Sequence, residues 1–416
     1  MRRSSRRFAA LGTSLIAVAG LALAVPSTAG AGTEITTVIS GLNAPRGIVF
    51  DGNGNMYVAE SGTAGSGPAG LTHTGRVNKY RWGQTTPTWS TSFESLYVTE
   101  APNQPPDVLG PEGLSVLDGS CLHRHPINCA LSLITSESHD GVAAASNGAI
   151  QTTQAGHLFR INRGTGVASD RSNVGDQSYQ FTTDHHSLFP PDFPDANPYG
   201  VLVTTRGPHH HHHHGDDGDH DGDHDSHHHG DHHGDHHGDH GRIRTFVADA
   251  AANTINEIMP GGKIRVIAYI PNETSAPFRD ATPTCIAQGR DGFLYVGTLD
   301  LLAGEGRAMV YKVDPDANFP TRPKVWATGL TTITSCTFDR HGDFWATEMF
   351  ADAGTHAPPG DVVRIDRHDP DDVDHFGLGR LPLPGGITQG PDGAMYVTVN
   401  SANPAPGSGA VVRLED

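Results

Sequence analysis

Apolar and polar positions along this chain recur as one phrase. A turn, usually ending in Pro, leads to one variable residue, then one small residue, then an aliphatic strand. The six copies are Pro45-Arg46-Gly47-Ile48, Pro111-Glu112-Gly113-Leu114, Pro198-Tyr199-Gly200-Val201, Pro283-Thr284-Cys285-Ile286, Ile333-Thr334-Ser335-Cys336 and Pro384-Gly385-Gly386-Ile387. After the first strand come turns such as Asp51-Gly52-Asn53-Gly54, Arg290-Asp291-Gly292, Arg340-His341-Gly342 and Pro391-Asp392-Gly393, each leading into a second strand. Second strands are led by aromatics: Met56-Tyr57-Val58-Ala59, Phe246-Val247-Ala248, Leu294-Tyr295-Val296, Phe344-Trp345-Ala346 and Met395-Tyr396-Val397. Third strands include Val362-Val363-Arg364-Ile365 and Val411-Val412-Arg413-Leu414, and fourth strands stand out at 263–270 and 323–327. Four short strands per unit, six units in order, predict an all-β, six-bladed β-propeller over residues 32–416. The chain stops after a third strand, while an unpaired strand at 34–39 precedes the first repeat. That strand is expected to complete the last blade and close the ring, which removes two sheet edges.

The spacing isolates one interruption. Ile333 to Pro384 is 51 residues and Pro283 to Ile333 is 50, but Pro198 to Pro283 is 85. Removing the 34 residues 208–241 from the long interval leaves 51, so this tract interrupts blade 3 and replaces nothing. It holds 16 His, 9 Asp and Gly spacers, with no apolar residue after Pro208. Such a composition cannot bury enough surface to offset its conformational entropy, so a disordered loop is expected. Neutral imidazole binds Zn, Ni and Cu. The candidate metal ligands are His209, His210, His211, His212, His213, His214, His220, His224, His227, His228, His229, His232, His233, His236, His237 and His240. Protonation near the reference His pKa of about 6.5 would carry the tract's charge from −9 toward +7 and release metal. The plain alternative is a tolerated low-complexity expansion. A purification tag would account for His209 to His214 but not for the aspartate-rich remainder.

Arg2, Arg3, Arg6 and Arg7 precede an apolar run from Phe8 to Val25 and an Ala29-Gly30-Ala31 cleavage pattern, so residues 1–31 read as an export signal, and Ser5-Arg6-Arg7-Phe8 hints at the twin-arginine route. Export without an anchor predicts a secreted protein with no stable membrane span, and a monomer is expected. Losing four arginines takes the net charge from −18 to −22. That balance argues against nucleic acid as a partner and leaves a small molecule or a protein. Four Cys in an exported chain permit disulfides. Cys121 and Cys129 are expected to pair, whereas Cys285 and Cys336, in neighbouring apolar strands, read equally as a bridge or as two buried thiols.

Gly41-Leu42-Asn43-Ala44-Pro45-Arg46-Gly47 with Tyr57-Val58-Ala59-Glu60, Asn197-Pro198-Tyr199-Gly200 and the later Asp-Gly-x-x-Tyr-Val turns resemble the ScyD/ScyE family of secreted bacterial propellers. The likeness covers the chain outside 1–31 and 208–241, and more distantly the repeats are similar to NHL and gluconolactonase-like propellers. The resemblance implies the propeller and export. In that topology second-to-third and fourth-to-first loops share the ligand face, so the His-rich tract, lying between a first and a second strand, is expected on the opposite face.

On the expected ligand face, Glu60, Asp249 and Glu348 end second strands and form a candidate carboxylate ring. Arg46, Glu112 and Asn197 stand near first-strand starts. Carboxylates plus an amide are the donor set of Ca or Mg; alternatively each acid caps a turn through backbone N–H groups. No Gly-x-Ser-x-Gly, His-Glu-x-x-His or phosphate-loop pattern is present, and His73, His139, His185, His186 and His356 fall in expected loops. The leading reading is a ligand- or partner-binding scaffold carrying a metal-binding loop. A gluconolactonase-type, metal-dependent lactonase using Glu60, Glu112, Asn197 or Asp249, and an extracellular metal buffer, are the alternatives.

Overall fold

The computed structural model describes residues 32–63, 70–98, 107–117, 130–188, 194–205, 243–272, 279–301, 304–350 and 359–415. The export signal, the tract at 208–241, Cys121, Cys129 and His356 lie outside the described residues. The fold is the six-bladed β-propeller that the repeats predict. β1 (Glu34–Leu42) precedes the blades. Blade 1 holds β2 (Pro45–Phe50), β3 (Met56–Glu60), β4 (Gly70–Tyr80), β5 (Trp89–Val98) and a short β6 (Asp107–Leu109). Blade 2 holds β7 (Pro111–Val116), β8 (Ala130–Thr135), β9 (His157–Asn162) and β10 (Ala168–Asn173). Blade 3 holds β11 (Pro198–Thr204), β12 (Arg244–Asp249), β13 (Thr254–Ile258) and β14 (Ile264–Tyr269). Blade 4 holds β15 (Pro283–Gln288), β16 (Leu294–Thr298), β17 (Ala308–Val313) and β18 (Lys324–Leu330). Blade 5 holds β19 (Ile333–Phe338), β20 (Phe344–Glu348), β21 (Gly360–Ile365) and β22 (Val373–Leu381). Blade 6 holds β23 (Ile387–Gln389), β24 (Met395–Val399) and β25 (Gly409–Glu415). The fourth strand of blade 6 is β1, paired antiparallel with β25 from Glu34↔Glu415 to Leu42↔Gly409, so the chain start closes the ring as expected.

Three contacts explain why the phrase repeats. Its small third residue lies where first strands of adjacent blades touch. A Cβ on Gly47 would fall 2.4 Å from the Glu112 carbonyl oxygen, one on Gly113 would fall 2.5 Å from that of Tyr199, and one on Gly386 would fall 2.3 Å from that of Arg46. Blade 4 carries Cys285 at this position, and the sulfur bonds to Cys336 of blade 5, which resolves the pair left open by the sequence as a disulfide. Second, in blades 1 to 5 the residue after the second strand donates its N–H to the carbonyl of the residue before the phrase, as in Ser61 to Ala44 (3.0 Å), Leu299 to Thr282 (2.9 Å) and Met349 to Thr332 (3.0 Å), while in blade 6 the donor one residue on, Ser401, reaches Leu383 (3.0 Å). Ala44, Thr282, Thr332 and Leu383 hold that bend at φ between 45° and 47°, a conformation costing non-glycine residues on the order of 1–3 kcal/mol. Third, the turn aspartate accepts from the aromatic of the second strand: Asp51 from the Tyr57 hydroxyl (2.9 Å), Asp291 from Tyr295 (3.0 Å), Asp339 from the Trp345 indole (3.1 Å) and Asp392 from Tyr396 (3.2 Å). Blade 3, whose turn gives way to the tract, has Phe246 there, a ring with no group to donate.

Between blades the sheet faces pack dry. Phe246, Ile255 and Ile267 of blade 3 meet Ile286, Val296 and Tyr311 of blade 4, all buried. Two helices interrupt segments expected as loops. α1 (His139–Ala145) starts where the Ser138 hydroxyl accepts the Gly141 N–H (3.0 Å). α2 (Val174–Asp184) joins blades 2 and 3, with Asn173 accepting the Asp176 N–H (2.9 Å). Among the described residues no helix is long and apolar enough to cross a membrane.

Candidate functional site

First strands of all six blades surround an axial cavity of about 810 Å³. One end is a layer built from Arg46, Glu112, Tyr199, Thr284 and Thr334, the second residues of five phrases, and all five are buried. The other end reaches the first-to-second-strand turns through Gly52, Thr205, Arg290, Arg340 and Pro391, which are exposed.

The buried end is an ion cluster on blades 1 to 3. Arg46 Nη1 donates to the Tyr199 hydroxyl (3.3 Å) and Nη2 to Asp107 Oδ1 (3.2 Å), while Nε lies 3.7 Å from Glu112 Oε2. Glu112 Oε1 accepts from the Ser61 hydroxyl (3.4 Å). Burial pushes the Glu112 carboxyl up to about 7; Arg46 opposes this and Asp107 adds to it. Burial also raises Asp107 against the pull of Arg46, and takes the Tyr199 hydroxyl up to about 12. Burial disfavours the Arg46 cation, but Glu112, Tyr199 and Asp107 outweigh it and hold the guanidinium above its ordinary value. Arg46 Nε, Asp107 Oδ2 and Glu112 Oε2 have no hydrogen-bond partner. Buried polar atoms are rarely left so, and at neutral pH Glu112 can act as either donor or acceptor.

The structure brings Arg46 and Glu112 together and places the other four candidates elsewhere. Glu60, Asn197, Asp249 and Glu348 do not line the cavity. Glu60 Oε2 accepts the Asn43 N–H (2.6 Å) and Oε1 accepts from Asn78. Asp249 Oδ1 accepts the N–H groups of Asn197 (2.8 Å) and Ala252 (3.0 Å), while burial takes its pKa up to about 6. Glu348 Oε1 accepts the Thr331 N–H (2.6 Å), and Asn197 Oδ1 accepts that of Glu137 (3.1 Å). In blades 1, 3 and 5 the acid thus ties the end of its second strand to the loop entering its own first strand. A Ca or Mg ion does not fit the buried end as built: the Arg46 cation occupies it, and the nearby carboxylates are that cation's own partners. His73 lies in β4, His139 begins α1, His185 stacks on Phe181 (4.2 Å) at the α2 end, and His186 follows in a 3-10 turn.

Thr204 and Arg244 pair across blade 3, so the tract leaves the fold beside Thr205, a cavity-lining residue. Thr205 belongs to the exposed end of the cavity, opposite the Arg46 layer. The tract lies outside the described residues, and the separation expected between it and the ligand site lies there too. Sequence reasoning missed Tyr199 and Asp107 as site residues. Tyr199 was recoverable, since it occupies the phrase position of Arg46 and Glu112, whereas nothing in the sequence around Asp107 marks it.

No family model matches the sequence, and no curated protein matches it. Solved structures similar to it include NHL/gluconolactonase-like six-bladed propellers. A protein of unknown function from Bacteroides thetaiotaomicron shares 10% identity over 92% of this chain and 76% of its own, with a TM-score of 0.50. An oxidoreductase described as a glucose dehydrogenase, from Thermus thermophilus, shares 16% identity over 92% and 100% with a TM-score of 0.49. A calcium-binding protein, regucalcin, from Agrobacterium tumefaciens, shares 13% over 90% and 90% with a TM-score of 0.45. Likeness at these identities speaks to the fold alone.

Proposed function

We propose that this is a secreted propeller of the ScyD/ScyE kind that binds a small hydroxylated ligand in its axial cavity, and that its His-rich tract chelates divalent transition metals. The observation carrying the first part is the buried polar layer at the cavity end, where Arg46, Asp107 and Glu112 each retain an atom with no hydrogen-bond partner. Arg46 balances Asp107, and the protonation of Glu112 decides the remainder, so the layer is neutral or singly negative and favours neutral ligands that both donate and accept. The ligand enters from the turn face, where lining residues are exposed. A metal-dependent lactonase is not adopted, because Arg46 stands where its cation would have to act.

Thermal unfolding with glucose, galactose and inositol tests the cavity. At least one should raise the Tm of the parent, because a ligand bound only by the folded state stabilises it. Glu112→Gln and Tyr199→Phe should diminish that rise. A panel without effect, or equal rises in parent and variants, overturns the reading. For the tract, replacing its sixteen histidines by Asn should lower the number of Ni²⁺ or Zn²⁺ ions bound per chain, and an unchanged stoichiometry would refute it.

A further inference from the structure

A second polar cluster lies in blade 5, away from the axial cavity. Glu348 at the end of β20 stands opposite Asp361 of β21, and His375 of the neighbouring β22 stands opposite Val363. One ligand-capable atom from each of Glu348, Asp361 and His375 lies within 4.8 Å of the other two. Both carboxylates are buried, Asp361 completely, while the His375 side chain is 46% exposed and forms the solvent side of the cluster. Asp361 Oδ2 lies 2.7 Å from His375 Nδ1. Its other oxygen, Oδ1, is buried with no hydrogen-bond partner. Two desolvated carboxyls side by side, Glu348 and Asp361, repel one another when both are ionised. A trio of similar composition, His139, Asp140 and Asp176, is solvent-exposed or half-buried, with Asp176 Oδ1 accepting the Asp140 N–H (2.8 Å). It has no buried orphan and carries nothing.

We propose that Glu348, Asp361 and His375 form a binding site for one divalent cation of the zinc class. Zinc accepts both imidazole nitrogen and carboxylate oxygen, so one nitrogen and two oxygens supply three ligands, with water completing the tetrahedron on the open side. Metal–ligand distances of about 2.0–2.2 Å set tetrahedral donor atoms roughly 3.3–3.6 Å apart, so separations of up to 4.8 Å close while the Asp361–His375 pair opens from 2.7 Å and exchanges its hydrogen bond for coordination. The ion gives the orphaned Asp361 oxygen a partner and turns repulsion between the acids into shared coordination. Because the ligands come from three adjacent strands, it also pins them together where β20 and β21 join their loop.

The test is calorimetric titration of Zn²⁺ into the full-length chain whose sixteen tract histidines are Asn, prepared free of metal. One Zn²⁺ per chain is expected. Adding His375→Ala, at a half-exposed position, should leave the fold intact by circular dichroism and weaken binding at least tenfold. Asp361→Asn, which keeps the volume, should do the same. Absence of a one-to-one isotherm overturns the proposal, and so does His375→Ala binding Zn²⁺ as tightly as its parent. Neither result bears on ligand binding in the axial cavity, whose variants and probes are different.

Discussion

Severing the link between Cys285 and Cys336 isolates the contribution of one cross-link to the closed ring. The substitutions are supplied by the repeats themselves. Cys285 holds the position that is Ser335 in blade 5, and Cys336 holds the one filled by Ile48, Leu114, Val201, Ile286 and Ile387 in the other blades. Cys285→Ser with Cys336→Val therefore keeps the local packing and removes the covalent bond. The bridged residues are 51 apart, and the loop-closure entropy of such a loop corresponds to about 4 kcal/mol at 25 °C. With on the order of 300 ordered residues unfolding at about 2.1 cal/mol/K each, the Tm should fall by about 6 °C. Reversible thermal unfolding followed by circular dichroism measures the shift, and non-reducing peptide mapping of the parent should recover the cross-linked pair. A double variant melting within about 1 °C of the parent would refute the reasoning. It would mean that the ring's noncovalent closure already supplies the constraint.

Two further outcomes follow from the axis. Gly113→Ala places a Cβ 2.5 Å from the Tyr199 carbonyl oxygen and 3.0 Å from the Val201 nitrogen, both backbone atoms, so about 3 kcal/mol should be lost; urea unfolding with an unchanged midpoint would count against the strand contact. Glu112→Gln removes a carboxyl whose folded pKa of about 7 exceeds its ordinary 4.5. The folded state then binds the extra proton between those values, so the parent's stability falls as pH rises from 4.5 to 7, by about 3 kcal/mol from this group. The variant should lose that slope in denaturant midpoints measured across this range, and an identical slope would show that Glu112 does not carry it.

Legibility differed between the ring and the site for a physical reason. Gly47, the bend at Ala44 and the Asp51–Tyr57 pair recur because closing a ring imposes the same contacts on each blade, so sequence alone displays the fold. α2 gave no such signal. Its Gly, Thr and aromatic residues are weak helix formers, and it is held by tertiary bonds: Gln177 donates to the Gly262 carbonyl (3.0 Å) and accepts the Ile264 N–H (3.0 Å). Glu60, Asp249 and Glu348 were visible as acids at equivalent strand ends, but an acid facing a ligand and an acid facing a backbone amide read alike. The fate of each is decided by the approach of a loop, which no periodicity records. Asp107 reaches Arg46 from an added fifth strand outside the repeat, so no spacing announces it.

The phrase itself shows where chemical variety is admitted. Its third residue is constrained by contact between neighbouring strands and its fourth by packing between blades, which leaves the second as the position where blades differ. In blades 4 and 5 that residue is Thr, and its hydroxyl is committed to the next blade's backbone: Thr284 donates to the Ile333 carbonyl (2.6 Å) and Thr334 to that of Pro384 (3.0 Å). Thr398 of blade 6 donates likewise to the Arg46 carbonyl (3.0 Å), so this half of the axis is stitched through groups with their donors in use. In blades 1 to 3 the same position carries Arg46, Glu112 and Tyr199, which meet each other and leave buried valences unsatisfied. A purely structural axis would be served by threonines all round, at lower desolvation cost than an Arg with two carboxylates. If the axis binds a ligand as proposed, the asymmetry puts its contacts on blades 1 to 3. A Thr334→Val variant should lower stability while leaving the ligand-induced rise in Tm intact, and a loss of that rise equal to the loss in Tyr199→Phe would place the binding determinants around the whole ring instead.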